Sequence, residues 1–370
     1  MNTSPSTNTG RLQSLDLMRG LIMVLLAFEA AELYTHLLNI TTPGTWGHSL
    51  MRQFFHNDWE GLHFWDLVQP AFMLMAGVAM AYSLTAQTRK GVPWNCRLRK
   101  ILRRCGWLLF WGIVKRIAFP DWLHLQSLDV TDILTQLAFT TLIAFLLFRL
   151  SARRLLLACA AILALTETLY RSFHIPGEIE GYTMGMNAGS YIDHLLLGQT
   201  GNKYVFINWL PTAVHTLLGV VLGKWLLQGR QVLTRMTLTA AVCLTTGYAL
   251  SLSGLTPVIK PIATTSFVLQ SAGYVILLLA ALHYMIDRRG VKRGIFFFRV
   301  VGMNSIFIYL FFDIVGRGWF NAYVSQLLSP LQYLFQGTES LYPPAASLAV
   351  FAAEWGICFF LYRKNIFFKL

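Results

Sequence analysis

Stretches of roughly 20 predominantly apolar residues follow one another from residue 17 to the C-terminus, and this repetition constrains the fold more than any other feature. Candidate spans lie near 17–38, 64–86, 101–119, 131–149, 153–171, 206–227, 236–254, 264–286, 298–316 and 345–362. At 1.5 Å rise per residue, even a stretch of about 19 residues crosses ~30 Å of hydrocarbon. The expected fold is therefore all-α, a polytopic membrane helix bundle of about ten transmembrane helices. Charged residues make up only 13% of the chain, against roughly 25% in soluble domains. No polar linker divides the apolar runs, so residues 14–370 read as a single transmembrane domain. Residues 1–13, rich in Ser, Thr and Asn at their start, read as a disordered cytoplasmic tail. They show no basic n-region or cleavage site, so the first helix is expected to be retained.

Basic residues set the orientation. With the N-terminus cytoplasmic, only Arg52, Lys115, Arg116, Arg171, Lys203, Lys260 and Arg317 of the 30 Lys and Arg fall on the far side, which leaves 23 inside. The densest cytoplasmic block runs from Arg89 to Arg104, and a second from Arg288 to Arg299. That asymmetry predicts an N-in, C-in topology. It also accounts for the net charge of +13 without any nucleic-acid partner; attraction to anionic headgroups of the lipid bilayer comes with it. No internal repeat is evident, which weighs against an inverted-repeat transporter. The five cysteines avoid the outer loops, and no metal-ligand spacing or nucleotide motif appears, so neither a disulfide nor a metal is expected.

Ionisable residues retained in a span carry the functional signal, because each is costly in hydrocarbon. Glu29, Glu32 and His36 are spaced to share one helical face. That stripe is either a proton relay or one wall of an active site, or else an interior pair with Glu32 bonded to His36. Between the first two spans, His56-Asn57-Asp58-Trp59-Glu60-Gly61 is followed by Asp66-Leu67-Val68-Gln69-Pro70. His56 is suited to general-base chemistry at neutral pH, with Asp66, Asp58 or Glu29 to orient its ring. Asp66 near a helix start is equally favoured by the macrodipole. Lys260, Thr264 and Ser266 lead into the eighth span, where hydroxyls commonly bond back to their own helix. Gly302, Asn304 and Ser305 open the ninth, with helix packing as the plain alternative. Asp313 and Arg317, four residues apart, read as an ion pair.

Several of these segments together resemble a known family. Ser14-Leu15-Asp16-Leu17-Met18-Arg19-Gly20 opens the chain as an SLDxxRG signature. The His56–Gly61 and Asp66–Pro70 segments are similar to the H-x-x-W-x-G and D-L-[VI]-F-P pair of heparan-alpha-glucosaminide N-acetyltransferase-like membrane proteins. Residues 132–138, 260–269 and 302–309 follow in order as weaker matches to G-V-L-Q-R-I-A, K-x-x-W-T-x-S-F-x-L and G-x-N-A-x-x-I-Y. Gln69 stands where the family has Phe, and Ala263 where it has Trp. With these departures the similarity reads as closer to bacterial relatives of unknown function than to the lysosomal enzyme.

The resemblance implies a multi-pass acyltransferase of the bacterial inner membrane. It would carry an acetyl group from cytoplasmic acetyl-CoA to an amine or hydroxyl of an extracytoplasmic carbohydrate acceptor. It assigns the catalytic roles to His56 and Asp66. Arg19 or members of the Arg97–Arg104 cluster, together with Asn304, are the expected contacts to the acyl-CoA, although topology alone accounts for the cluster; Glu29, Lys260, Thr264 and Ser266 are those to the acceptor. A proton-coupled transporter or flippase for a glycan or lipid-linked intermediate, using the Glu29–His36 stripe, is the alternative.

Overall fold

Helix occupies each of the ten apolar runs, though not always as one helix per run. The structure, a computed structural model, describes residues 12–117, 132–175, 177, 179–198, 203–291 and 294–368. The first run holds α1 (Gln13–Ala30) and α2 (Leu33–Asn39), followed by a short α3 (Trp46–Arg52). A 3-10 turn, Phe64–Leu67, leads into α4 (Val68–Arg89), and then come α5 (Trp94–Ile117), α6 (Ile133–Leu147) and α7 (Ala152–Ser172). After α8 (Ala188–Leu197) run α9 (Trp209–Gln228), α10 (Val232–Leu252) and α11 (Thr265–Leu282). The last part comprises α12 (Ile295–Gly302), α13 (Ser305–Leu310), a π-helical stretch Phe311–Phe320, α14 (Asn321–Leu328) and α15 (Tyr342–Arg363). Among the described residues there is no β-strand, only the isolated bridges Glu60–Ile259 and Ile175–Ile179. Of the expected tail, residues 1–11 lie outside the described residues, while Gln13 already belongs to α1.

Among the described residues five stretches are long and apolar enough to cross a membrane: Phe64–Arg89, Ala152–Ser172, Phe206–Gln228, Thr265–Arg288 and Glu339–Arg363. Two bent helix pairs raise the number to seven if each is one span. The other helices in apolar runs fall short for visible reasons. The first half of α5 carries five Lys and Arg, α6 has 15 residues, and Arg235 with five threonines dilutes α10.

Three expectations are corrected here. The first run is not one helix: it bends by 60° between α1 and α2, where Glu32 takes a left-handed φ of 60° and is exposed. Glu29, Glu32 and His36 therefore do not share a face. His36 Nδ1 lies 2.9 Å from Ser347 Oγ of α15 instead of bonding Glu32. The ninth run is likewise broken at Met303–Asn304, with a 75° bend. Beyond that bend the chain continues as helix through Phe335.

Small residues fix the centre of the bundle. A Cβ on Gly77 of α4 would stand 2.0 Å from the Thr216 carbonyl oxygen, and one on Gly219 of α9 2.1 Å from that of Leu74. The two backbones are thus in direct contact, as glycines permit between membrane helices. Around Phe206–Gln228, 78% of the apolar window is buried, against 28% for Ala152–Ser172, which places α9 at the core and α7 at the rim. Gly20 of the SLDxxRG segment serves the same purpose, since its Cβ would meet the Phe298 carbonyl oxygen at 2.0 Å.

Candidate active site

The loop between α3 and α4 is held at both ends by backbone hydrogen bonds. Gln53 accepts from Trp65 N–H through its carbonyl (2.9 Å) and from Phe64 N–H through Oε1 (3.2 Å). Gly61 donates its N–H to the Val258 carbonyl (2.7 Å), fastening this loop to the 253–264 segment. It does so at φ 128°, and a Cβ there would lie 2.4 Å from Asn57 Nδ2, so the glycine is required by both conformation and space. The partner segment folds on itself around Thr264, whose Oγ1 donates to the Pro257 carbonyl (2.7 Å) and accepts from Ile259 N–H (3.0 Å). Ser266 Oγ also donates to the Pro257 carbonyl, at 2.6 Å.

These contacts bring His56, Asp66 and Lys260 together. Asp66 is buried at 1% exposure at the start of the second run. Its Oδ1 accepts from His56 Nδ1 at 2.8 Å, and its Oδ2 from the backbone N–H of His63 (3.0 Å) and Asn57 (3.3 Å). Lys260 Nζ stands 3.3 Å from Asp66 Oδ1 and 3.0 Å from His56 Nδ1. Burial pushes the Lys260 ammonium down to about 8, against the opposing pull of the Asp66 carboxylate. A carboxylate at Nδ1 keeps the ring proton there and leaves Nε2 with its lone pair, the form that acts as base or nucleophile. The His56 side chain is 44% exposed and opens on a cavity of about 320 Å³.

The other walls of that cavity come from residues outside the expected site, among them the Asp313–Arg317 ion pair. Lys115, near the end of α5, sits 2.9 Å from Asp132 Oδ2, 2.7 Å from Asp313 Oδ2 and 2.6 Å from the Tyr309 hydroxyl. The chain of charge continues through Arg317, 3.8 Å from Asp313 and 3.4 Å from Glu29. Gln69 and Gln136 are bonded to each other between the His56 side and the Lys115 side. Tyr204 also faces the cavity, and its hydroxyl makes no hydrogen bond among the described residues. Burial and the nearby Asp66 carboxylate hold that phenol well above its ordinary value, so it is a proton donor.

The structure thus gathers Glu29, His56 and Lys260 on one cavity with Asp66 behind His56, and it turns four expected residues elsewhere. Thr264 and Ser266 do not line the cavity; both hydroxyls are engaged by the turn that presents Lys260. Asn304 is buried, and its amide is occupied by the C-terminal segment: Nδ2 donates to the Ile366 carbonyl (2.8 Å) and Oδ1 accepts from Phe368 N–H (3.0 Å). Arg19 lies 3.6 Å from Asp16, ten residues before Glu29 and so about 15 Å away along α1. A proton path along Glu29, Glu32 and His36 is interrupted at the bend.

Comparison with known proteins gives a consistent family. A profile described as heparan-alpha-glucosaminide N-acetyltransferase, catalytic, matches residues 11–254. The human heparan-alpha-glucosaminide N-acetyltransferase is 25% identical over an alignment covering 97% of this chain and 60% of that protein. The mouse protein of the same name is 24% identical over 98% of this chain and 61% of its own length. The chain therefore spans about 60% of the length of these relatives.

Proposed function

Since this chain belongs to the heparan-alpha-glucosaminide N-acetyltransferase catalytic family, we propose that it transfers an acetyl group from acetyl-CoA to an amine or hydroxyl of a sugar across the membrane. The observation that carries this reading is the hydrogen bond between His56 Nδ1 and Asp66 at the edge of the cavity. His56 Nε2 takes the proton of the acceptor as its nitrogen or oxygen attacks the thioester carbonyl. A C–N or C–O bond forms, the C–S bond breaks, and the departing sulfur receives the proton and leaves as CoA thiol. In the two-step variant the acetyl group rests first on Nε2 and then passes to the acceptor, with the same balance. Asp66 fixes the tautomer, and the Tyr204 hydroxyl donates to the oxygen that becomes negative in the tetrahedral intermediate. Glu29 and the Lys260 ammonium hold acceptor groups at the rim.

In this reading residues 14–370 are one domain of ten spans, with α5, α6 and α10 among them, and N- and C-termini both in the cytoplasm of a bacterial inner membrane. The cavity then opens outward, because His56 and Lys260 belong to outer loops, and Lys115 ends a helix that starts inside. Acetyl-CoA enters from the opposite face, on the side of Arg19. The test is acetyl transfer by purified protein, with His56→Ala alongside. Loss of transfer in a variant that stays folded supports the assignment; transfer at the wild-type rate removes His56 from the chemistry.

A further inference from the structure

The basic block at the start of α5 divides into two kinds of residue. Arg99, Lys100 and Arg103 are exposed, as a topology signal requires. Arg97 and Arg104 are drawn in. Seven residues separate them and eleven more lead to Lys115, close to two and three whole turns, so all three share one face of the helix. Leu108, fully buried against α4 and α6 among Met73, Leu134 and Ala138, lies on that face and shows that it points into the bundle. Arg104 is only partly accessible and has no hydrogen bond or ion pair among the described residues. Arg97 donates to Thr88 Oγ1 at 2.6 Å and lies 5.6 Å over the Trp94 ring, but its Nε is buried without a partner. A half-buried guanidinium on an inward helix face without a carboxylate carries a desolvation cost, and an incoming anion relieves it. Arginine's fork of donors suits phosphate.

We infer that Arg97 and Arg104 form a phosphate-binding track on the inner face of α5 that takes the phosphates of the acyl donor. Arg104 stands about 16 Å from Lys115 along the helix, so a donor anchored there extends its thioester toward the cavity. This assignment rests on the acetyl-CoA reading above. It chooses, within the expected set, the two inward arginines of α5 over Arg19 and Asn304. The same chemistry would accept the headgroup of an anionic phospholipid.

The test measures CoA binding to the full chain in lipid nanodiscs, comparing wild type with Arg104→Gln, Arg104→Lys and the exposed neighbour Arg103→Gln. Loss of one or two charge-assisted hydrogen bonds predicts a ten- to hundredfold weaker Kd for Arg104→Gln, on the order expected for such bonds. Arg103→Gln should stay at the wild-type value, and Arg104→Lys should recover part of the loss. With acetyl-CoA as donor the defect falls on KM, whereas S-acetyl-N-acetylcysteamine, which has no phosphate, reacts equally with all variants. Equal CoA affinity in all four proteins overturns the inference, as does an equal loss with both donors, which marks a structural role. Stabilisation by phosphatidylglycerol that depends on Arg104, with none by CoA, assigns the track to lipid and also overturns it. CoA binding that depends on Arg104 without transfer to any sugar keeps the track and removes the transferase reading.

Discussion

Replacing Asp66 with Asn should invert the His56 tautomer, and the reason lies in which side of the carboxylate each partner occupies. Oδ2 accepts from two backbone donors, His63 and Asn57 N–H, while Oδ1 faces His56 Nδ1 and Lys260. An asparagine has one oxygen to offer, and the two backbone donors cannot turn away from it. The amide nitrogen is therefore directed at His56, donates to Nδ1, and moves the ring proton to Nε2, where the base must be empty. Restoring the productive tautomer requires flipping the amide and leaving two buried N–H groups facing an NH₂. At about 1–3 kcal/mol each this costs about 2–6 kcal/mol. At 1.36 kcal/mol per decade the rate falls by about 30-fold to 26,000-fold. The assay is initial release of CoA thiol with acceptor present, with Asp66→Glu as a charge-retaining comparison and a melting curve to check folding. A folded Asp66→Asn variant within about threefold of wild type would refute the orientation argument.

Three further outcomes follow from the same geometry. Tyr204→Phe removes a hydroxyl facing the cavity and should lower kcat by about 10²–10³ with little change in KM, as loss of one oxyanion donor does; an unchanged kcat would exclude that role. Gly219→Ala places a methyl 2.1 Å from the Leu74 carbonyl oxygen and should destabilise the bundle by about 1–3 kcal/mol, read as a lower melting temperature in detergent. Lys260 ionises near 8 in the fold, below its ordinary 10.5, so between those values the unfolded chain keeps a proton that the folded chain has released. Wild-type stability should therefore rise relative to Lys260→Met as pH goes from about 8 to 10.5, with a constant difference below 8; parallel curves throughout would contradict the burial of the charge.

What the sequence displayed and what it concealed divide along physical lines. The apolar runs marked where helices form, since burial in hydrocarbon needs length and composition only. His56, Asp66 and Lys260 stood out as ionisable residues beside spans. The bend at Glu32 gave no warning, because Glu-Ala-Ala-Glu contains neither proline nor glycine, and a helical period read through it put Glu32 and His36 on a false common face. The Asp313–Arg317 pair was legible from its four-residue spacing, but Lys115 and Asp132 come from α5 and the α6 cap, and nothing in their spacing announces that they join it. Thr264 and Ser266 were visible as polar residues at a span entrance, but whether such a hydroxyl meets a ligand or a carbonyl is decided by the turn around Pro257. The placement of Asn304 was hidden for a similar reason: the partners of its amide lie about sixty residues away in the C-terminal segment.

The contact between Gly77 and Gly219 has a mechanical meaning. Two backbones that touch cannot slide or rotate past one another without steric collision, so α4 and α9 behave as a single stator. Asp66 sits at the foot of α4 and inherits that fixity. The opposite wall, built from the bent α1–α2 pair and the π-helical stretch with Arg317 spanning to Glu29, has its own glycine lock between α1 and α12 but, among the described residues, no glycine contact to α4 or α9. On the proposed transferase reading, admission of donor and acceptor should therefore displace that wall against a stationary anvil that carries Asp66. Paired spin labels across α4 and α9 should keep one distance through turnover, while a pair between α2 and α14 should broaden.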